Sequence, residues 1–384
     1  MDLKAVIDTR RRGEPDMALF IIVFILAGVG IAMSYSASAV LAMKSMGDSF
    51  YFLKKQLLWF LIGLGALLVF QELDYRIYLR HTKVMLLVSL VLLVIVLVPG
   101  IGHNVKGSAR WIDLGFFRLQ PSEFVKIFMV IYLVKVFSSE GSSHNVVQVL
   151  VPIIIVAVMF VLIMMQPDFG TAVDLLIVSV LILFVSGFPL TYILSLFVIS
   201  IPMFYLLVYQ VDYRRDRMLA YLDPWKDRFG NGYHIIQSFI AFKKGGLFGV
   251  GLGFGTQKIS RLPEPHTDFI FAVMAEEVGF FGTAFMVVLY CLLFMRAVSI
   301  ALAAPDAFGR LLSIGLGLLL VVQAFINLGV VTGSLPTTGI PLPFISYGGS
   351  SFLSSMIAVG ILLNISRYRE VVRQEAKFTQ EVWQ

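Results

Sequence analysis

The stretch LPEPHTDFIF, residues 262–271, decides the fold, because a polar loop changes there abruptly into an apolar run. The run extends over 268–296, which is long enough to cross the roughly 30 Å of a bilayer's hydrocarbon core as a helix. Asp268 stands at its start, at a predicted boundary between water and lipid. An acid inside a membrane is costly and usually functional, whereas one at the mouth of a span costs less. Asp268 is therefore a candidate site residue, and its neighbours must indicate its chemistry.

The rest of the chain repeats this apolar pattern. Hydrophobic residues make up 58% of the 384 residues, charged residues only 14%, and the mean hydropathy is +0.88. A soluble protein of this length could not cover so much apolar surface. We predict an all-α polytopic membrane protein with about ten transmembrane helices, at 17–40, 54–70, 84–101, 121–137, 146–165, 170–187, 189–208, 268–296, 311–332 and 345–364.

These spans form one predicted membrane domain. In chain order we expect a tail, spans 1–7, a large loop, spans 8–10 and a second tail, at 1–16, 17–208, 209–267, 268–364 and 365–384. The first apolar run follows basic residues as in a signal peptide. Because it is longer than the roughly 7–15 residues of a signal core, we interpret it as an uncleaved span.

Basic residues set the predicted orientation. With the N-terminus inside, the short inner segments hold more of the Lys and Arg residues than the short outer loops do. The positive-inside rule then puts both termini in the cytoplasm and the large loop outside. This asymmetry explains most of the net charge of +6, and because the basic residues are divided between the two membrane faces, nucleic-acid binding is not indicated. The single cysteine, Cys291, excludes an internal disulfide framework.

Four outer segments interrupt the apolar pattern, at 102–120, 166–170, 209–268 and 333–349. Irregular polar backbone at membrane depth is tolerated only against protein or a water-filled cavity. The four segments could therefore surround one outward-facing cavity.

The first of these segments runs into a helix that carries two charges. Glu123 and Lys126 stand three residues apart on one helical face, which predicts a structural ion pair inside the bundle. Outside the span, Lys106, Arg110 and Trp111 could bind a phosphate and stack on a sugar, or they could anchor the chain at the interface.

The other segments leave similar alternatives. Asp168 in QPDFGT could bind substrate or cap the next helix, and Asp174 is expected to pair inside the bundle. The glycines of 245–258 lack the strand–helix context of a nucleotide loop, so we expect them to allow close approach of a membrane or a bulky substrate. Gln323 and Asn327 precede the Pro- and Gly-rich segment 333–351, which could aim a broken helix at an anion or form a structural re-entrant loop.

The longest motifs resemble those of the SEDS family of shape, elongation, division and sporulation proteins. The strings are KGSARWIDLGFFRLQPSEFVK, QPDFGT, LDPW, GYHIIQS, LPEPHTDFIFAVMAEE and TTGIPLPFISYGGSS, and the similarity is collinear over nearly the whole chain. GVGLG at 249–253 and KGSARW are more similar to the division members than to the elongation members. Pro265 and the pair Lys243 and Lys244 depart from the family pattern.

The resemblance implies a peptidoglycan glycosyltransferase that polymerises lipid II, with Asp268 of the HTD motif as the catalytic residue. A carboxylate can act as the base, while Lys, Arg or a divalent cation (Mg²⁺ or Mn²⁺) neutralises the departing diphosphate. His266 could orient Asp268 or cap the helix. The substrate-binding candidates are Lys106, Arg110, Trp111, Gln120, Ser122, Asp168, Arg214, Arg217, Gln237, Ser238, Lys258, His266 and Thr267.

The resemblance also implies partners and a location. We expect a class B penicillin-binding transpeptidase and other division proteins as partners, in the bacterial cytoplasmic membrane at the division septum. Three alternatives are an elongation-type polymerase, a lipid II transporter and a scaffold that only activates a partner synthase. Transport would suit ten spans with intramembrane acids, such as Glu276 and Glu277.

Overall fold

The computed structural model describes residues 13–105, 108–113, 115, 117–138, 146–260, 262 and 265–368. These residues form thirteen helices and three short strands. In chain order they are α1 (Met17–Met46), α2 (Tyr51–Glu72), α3 (Arg76–Leu97), β1 (Gly102–Val105), β2 (Ser108–Asp113), β3 (Arg118–Leu119), α4 (Pro121–Phe137), α5 (Val146–Met165), α6 (Phe169–Val185), α7 (Leu190–Tyr209), α8 (Asp212–Leu222), α9 (Tyr233–Gly245), α10 (Gln257–Ser260), α11 (Ile270–Leu302), α12 (Ala307–Val331) and α13 (Gly349–Ser366).

The helical membrane architecture agrees with the prediction. Within the described residues, six helices are long and apolar enough to cross a membrane, namely α1, α2, α3, α11, α12 and α13. The helices α4–α7, of 17 to 20 residues, occupy the other four predicted spans. Large apolar side chains such as Leu61 and Leu87 are more than half exposed, as expected of surfaces that face lipid. The protein is a multi-pass membrane protein, and the count of ten spans stays a prediction.

Local sequence signals explain where several helices begin. Asp16 precedes α1 and accepts a hydrogen bond from the backbone N–H of Leu19 at 2.9 Å, and Asp306 does the same for Gly309 at 2.7 Å before α12. Such caps satisfy donors that a helix start leaves without partners. Pro121 opens α4, where a residue without an N–H loses nothing.

Two predicted segments differ from the helices of the structure. The third span was predicted over 84–101, but α3 begins at Arg76, so basic residues assigned to an inner loop lie in its first turns. The segment 209–267 was predicted as a loop, yet it contains the helices α8, α9 and α10. Both differences have one cause, since helical residues that are polar do not resemble a membrane span.

A small antiparallel sheet adds a further element to the predicted all-α fold. The strands pair in the order β1-β2-β3, with Ile112 facing Gly102 on one side and Leu119 on the other. The sheet lies between the end of α3 and the start of α4. It fills part of one end of the helical bundle.

A break in α11 joins the glycine-rich segment to the bundle. Gly279 has φ 68° and ψ −167°, which interrupts the helix and turns backbone groups outward. Val250 and Gly251 donate their N–H groups to the carbonyls of Glu276 and Glu277 at 3.0 Å, and Phe280 donates to the carbonyl of Gly246 at 2.9 Å.

The close backbone contact at this break explains why glycine is needed at part of this segment. A Cβ on Gly249 would lie 2.1 Å from the carbonyl oxygen of Glu277, so no side chain fits there. Gly245 and Gly249 therefore allow contact between two segments of this chain, whereas a Cβ on Gly246 or Gly253 would meet no atom within 4 Å. The expected approach of a membrane or a bulky substrate stays a prediction.

The non-spanning segments meet at one end of the bundle. The backbone N–H of Gln120 donates to the Ser350 hydroxyl at 2.9 Å, and that of Tyr347 donates to the carbonyl of His266 at the same distance. Tyr221 in α8 donates to the carbonyl of Ser334 at 3.0 Å. The sheet, α8–α10 and the segment 332–348 therefore share one end of the molecule, where the predicted outer segments were expected to meet.

Candidate active site

A small cavity with a volume of about 90 Å³ opens at this end of the bundle. Three parts of the chain form its wall: the helices α8 and α9 with their connection, the start of α11, and the end of α12 with the segment that follows. The lining residues are Arg217, Asn231, His234, Asp268, Phe269, Asn327, Val330, Thr337, Thr338, Gly339 and Ile340. Among the lining residues that the structure describes, Asp268 is the only acid.

The backbone of Asp268 is held by Asn327 of α12. The amide nitrogen of Asn327 donates to the carbonyl oxygen of Asp268 at 2.9 Å and to that of Ile340 at 2.8 Å. One buried side chain thus joins the start of α11 to the segment after α12. The carboxylate is thereby kept at the cavity wall on a rigid support.

Gly339 lies next to the carboxylate. Its φ of +79° favours glycine, and a Cβ at this position would lie 3.6 Å from Oδ2 of Asp268. Glycine therefore satisfies the backbone conformation and leaves the space beside the acid open to a ligand.

Arg217 and His234 bring positive charge and a ring into the same cavity. Arg217, in α8, donates from Nη1 to the carbonyl of Thr337 at 3.1 Å. His234, in α9, stacks on Phe269 with 5.5 Å between ring centroids and an interplanar angle of 24°. A guanidinium and a carboxylate thus lie on one small cavity, which is an arrangement that fits an anionic substrate with a reacting hydroxyl.

Several predicted substrate-binding residues have structural contacts instead. Asp168 is buried and caps α6, accepting from the N–H and the hydroxyl of Thr171 at 3.3 and 2.9 Å and from Gln120 at 3.1 Å. Gln120 also donates to Ser122 at 3.2 Å. Arg110 lies 3.6 Å from the Asp168 carboxylate. These residues tie the sheet to the start of α6.

The side chain of Arg110 also contacts backbone carbonyls in the turn before α6. It donates to the carbonyl of Gln166 at 3.4 Å and to that of Pro167. Trp111 lies in β2, opposite His103. Lys106, a further candidate, lies outside the described residues. The structure therefore gives Arg110 three contacts that a diphosphate would have to replace.

A second group of predicted residues packs away from the cavity lining. Lys258 is buried and lies 2.5 Å from Glu277 and 2.8 Å from the hydroxyl of Ser36. His266 is buried, with its ring 4.4 Å from that of Phe52. Arg214 lies over the ring of Phe169, 5.8 Å from its centroid. These contacts connect α1, α2 and α6 to the extramembrane segments.

The remaining candidates are on elements that border the cavity. Gln237 and Ser238 belong to α9, and Ser238 donates to the carbonyl of Val331 at 2.5 Å. The carbonyl of Thr267 accepts from Ser346 at 2.7 Å. Of the predicted site residues that the structure describes, Arg217 and Asp268 alone line this cavity.

The charges on α4 lie in the interior of the bundle. Lys126 is 3.3 Å from Glu123 and 3.1 Å from Asp174, and it donates to the side-chain oxygen of Gln323 at 2.7 Å. Gln323 in turn donates to the carbonyl of Pro341 at 3.0 Å. The predicted pair is thus part of a larger cluster that connects α4 and α6 to the segment bordering the cavity.

The residues present do not form a metal site of their own. Among the described residues, no three His, Cys, Asp or Glu side chains lie close enough to hold a metal ion. Asp268, as the only acid of the described cavity lining, would supply a single ligand. We therefore derive no step through a metal, and the divalent cation stays a prediction.

Sequence reasoning missed Asn231, His234, Thr337 and Thr338 as cavity residues. His234 lies within GYHIIQS, from which Gln237 and Ser238 were chosen. The two threonines lie within TTGIPLPFISYGGSS, from which no substrate-binding residue was chosen. Asn327 was noted only as a residue before a broken helix.

The fold and the site define a multi-pass membrane protein with an acid-bearing cavity at one end of its helical bundle. The chain belongs to the FtsW/RodA/SpoVE family of cell cycle proteins, whose sequence profile matches residues 17–371. This agrees with the family suggested by the motifs.

Relatives match nearly the whole chain. The probable peptidoglycan glycosyltransferase FtsW of Geobacter metallireducens is 43% identical over 376 residues, which cover 95% of this chain and 98% of that protein. Stage V sporulation protein E of Bacillus subtilis is also 43% identical, over 362 residues, covering 94% of this chain and 99% of that protein.

Solved structures share the fold. A chain from a peptidoglycan synthase complex, in which polymerisation and crosslinking are coordinated, superposes with a TM-score of 0.77 at 30% identity, covering 92% of this chain and 98% of that one. The rod shape determining protein RodA of Thermus thermophilus superposes with a TM-score of 0.70 at 28% identity, covering 92% and 97%.

Proposed function

We propose that this protein is a peptidoglycan glycosyltransferase that polymerises lipid II, with Asp268 as the general base. The observation that carries this proposal is the cavity in which Asp268, the only acid of the described lining, lies together with Arg217. Family membership and a relative named as a probable peptidoglycan glycosyltransferase support the reaction class.

The proposed reaction is an inverting glycosyl transfer. The 4-hydroxyl of the acceptor sugar gives its proton to Asp268 while its oxygen bonds to the anomeric carbon of the donor. The bond from that carbon to the diphosphate oxygen breaks, and undecaprenyl diphosphate leaves with the bonding electrons. A positioned carboxylate contributes roughly 10²–10⁴-fold to such a step through proton transfer.

Arg217 is the cation that we assign to the departing diphosphate. It lies on the cavity, and its guanidinium donates to a neutral carbonyl, that of Thr337. Lys258 is buried against Glu277, and separating a buried pair costs about 3–5 kcal/mol because a charge is left without compensation. Arg110 would have to leave the Asp168 carboxylate.

We place the cavity at the outer face of the bacterial cytoplasmic membrane, with both termini in the cytoplasm. The distribution of basic residues supports this orientation. The synthase complex that shares the fold supports a penicillin-binding transpeptidase as partner, and the relative named FtsW supports a role in septal synthesis with other division proteins.

The test is polymerisation of purified lipid II by the protein together with a class B transpeptidase. Asp268→Asn keeps the shape of the side chain and removes the base, so glycan strands should fall by at least about 10²-fold. Asp113→Asn is the matched control, because Asp113 is a half-exposed acid of β2, paired with Arg118 at 3.7 Å, and does not line the cavity.

Each result has a clear meaning. Loss of polymer in Asp268→Asn with normal polymer in Asp113→Asn supports the base role. Normal glycan strands from well-folded Asp268→Asn and Asp268→Ala would remove Asp268 from that role. Wild-type protein that moves lipid II across liposome membranes but leaves it monomeric would favour the transporter alternative.

A further inference from the structure

We infer that Asn327 and Thr338 recognise the sugar that binds beside Asp268, through Oδ1 of Asn327 and the hydroxyl of Thr338. Both residues line the cavity. The inference rests on the proposed function, because it assumes that a sugar occupies this cavity.

The chemistry of Asn327 follows from its fixed orientation. Both hydrogens of its amide group are directed at carbonyl oxygens, those of Asp268 and Ile340. Carbonyl oxygens only accept, so rotating the amide would place Oδ1 against two acceptors. The nitrogen must therefore face the two carbonyls, and Oδ1 is left as an acceptor.

The described residues leave that acceptor and the threonine hydroxyl without a partner. In the part of the chain that the structure describes, Oδ1 of Asn327 and Oγ1 of Thr338 are buried and have no hydrogen-bond partner. Buried polar groups are nearly always hydrogen-bonded, because leaving them without a partner costs about 1–3 kcal/mol. Two such groups on the wall of one cavity indicate a ligand with matching polar groups.

The backbone around Thr338 is fixed by close packing against α6. A Cβ on Gly170 would lie 2.7 Å from the carbonyl oxygen of Thr338 and 3.0 Å from its Cβ. Glycine at the start of α6 therefore lets the 338 segment sit directly on the helix. Such rigid support is what a recognition residue needs to hold its hydroxyl in place.

The two residues define the ligand group that fits. Oδ1 of Asn327 needs a donor, such as a sugar hydroxyl or the N–H of an N-acetyl group. The hydroxyl of Thr338 can donate or accept. An N-acetylated sugar presents both kinds of group, whereas a polyprenyl chain presents neither and a fully ionised diphosphate presents only acceptors. Asn327 and Thr338 therefore recognise the sugar and not the polyprenyl diphosphate part of lipid II.

Thr338→Val is the decisive variant, because it keeps the shape of the side chain and removes only the hydroxyl. Loss of one hydrogen bond to the sugar should weaken lipid II binding roughly three- to tenfold. Removing a buried hydroxyl that has no protein partner should not lower thermal stability. Thr338→Ser keeps the hydroxyl and should bind within about twofold of the parent.

The binding assay uses the Asp268→Asn protein, so that lipid II is not consumed. Lipid II and undecaprenyl diphosphate, which lacks the sugars, are titrated separately into nanodiscs holding each variant. Thr332→Val is the matched control, since the hydroxyl of Thr332 is outside the cavity and donates to the carbonyl of Leu328 at 2.9 Å. This control should bind both lipids as the parent does.

Weaker lipid II binding by Thr338→Val, with unchanged binding of undecaprenyl diphosphate and unchanged melting temperature, supports the inference. Equal affinities of Thr338→Val and Thr338→Ser for lipid II would overturn it, and so would equal losses for the two lipids. In the active background, Thr338→Val should raise KM with little change in kcat, whereas Asp268→Asn should abolish kcat. Turnover by Asp268→Asn would overturn only the role of Asp268 as base, because the role of Thr338 is tested by the affinity for lipid II.

Discussion

Replacing Lys126 with methionine should destabilise the protein more than any change of a lysine at the surface. Lys126 is almost completely buried, 3.3 Å from Glu123 and 3.1 Å from Asp174. Methionine keeps most of the apolar stem and removes the charge. Two carboxylates then stay in the bundle, and no other cation contacts them among the described ion pairs. Breaking a buried pair in this way costs about 3–5 kcal/mol.

The assay is thermal unfolding of detergent-solubilised protein, followed by fluorescence-detected gel filtration. A loss of this size should lower the melting temperature on the order of 5–10 °C. Lys135→Met is the matched control from the same helix, because Nζ of Lys135 contacts only the carbonyl of Leu79, at 2.7 Å, in the part of the chain that the structure describes. Losing that bond costs about 1 kcal/mol, so this variant should melt close to wild type.

A compensating variant separates charge from packing. Lys126→Met combined with Glu123→Gln and Asp174→Asn removes all three charges and should recover much of the lost stability, because no buried charge is left without a partner. Equal melting temperatures of Lys126→Met and Lys135→Met would show that the two uncompensated carboxylates do not destabilise the protein. So would a triple variant less stable than Lys126→Met, since the carboxylates would then not be the source of the cost.

Two further substitutions test structural roles. Asp168→Asn should lower the free energy of unfolding by about 1–3 kcal/mol, because an amide would face the donors of Thr171 and Gln120. The melting temperature should fall while KM for lipid II stays unchanged. A higher KM with an unchanged melting temperature would instead indicate that Asp168 binds substrate. Gly249→Ala should destabilise the protein much more than Gly253→Ala. Both glycines have positive φ, but only a Cβ at Gly249 would collide with backbone. Equal melting temperatures of the two variants would exclude this steric explanation.

The apolar runs predicted the membrane helices because burial in lipid requires a long, uncharged stretch. The same signal could not locate the ends of helices that extend beyond the lipid, so α3 begins at Arg76, before the predicted 84. The strands β1–β3 were missed for a different reason. They have two to six residues each, and their stability depends on packing against the bundle.

The site was predicted in part for equally physical reasons. Asp268 could be predicted because a single sequence shows an acid at the point where a polar loop changes into an apolar run. Its neighbours could not, since Asn231, Asn327 and Thr338 each lie far from Asp268 in the chain and meet it only through packing. Charge alone misled the choice of ligands, because Lys258 and Arg110 are compensated by acids that the sequence places elsewhere.

The buried acids also bear on the transporter alternative, which their position in the membrane had favoured. Glu276 accepts from the N–H groups of Thr256 and Gln257 at 2.9 and 3.0 Å, and Glu277 pairs with Lys258. Each acid therefore fastens the glycine-rich segment to the break in α11. A carboxylate that carries protons or ions across a membrane must change partners during the cycle, and these two could do so only by detaching that segment. These contacts explain the burial of Glu276 and Glu277 by a structural role, so the two acids do not favour transport. Asp268, in contrast, lines a cavity.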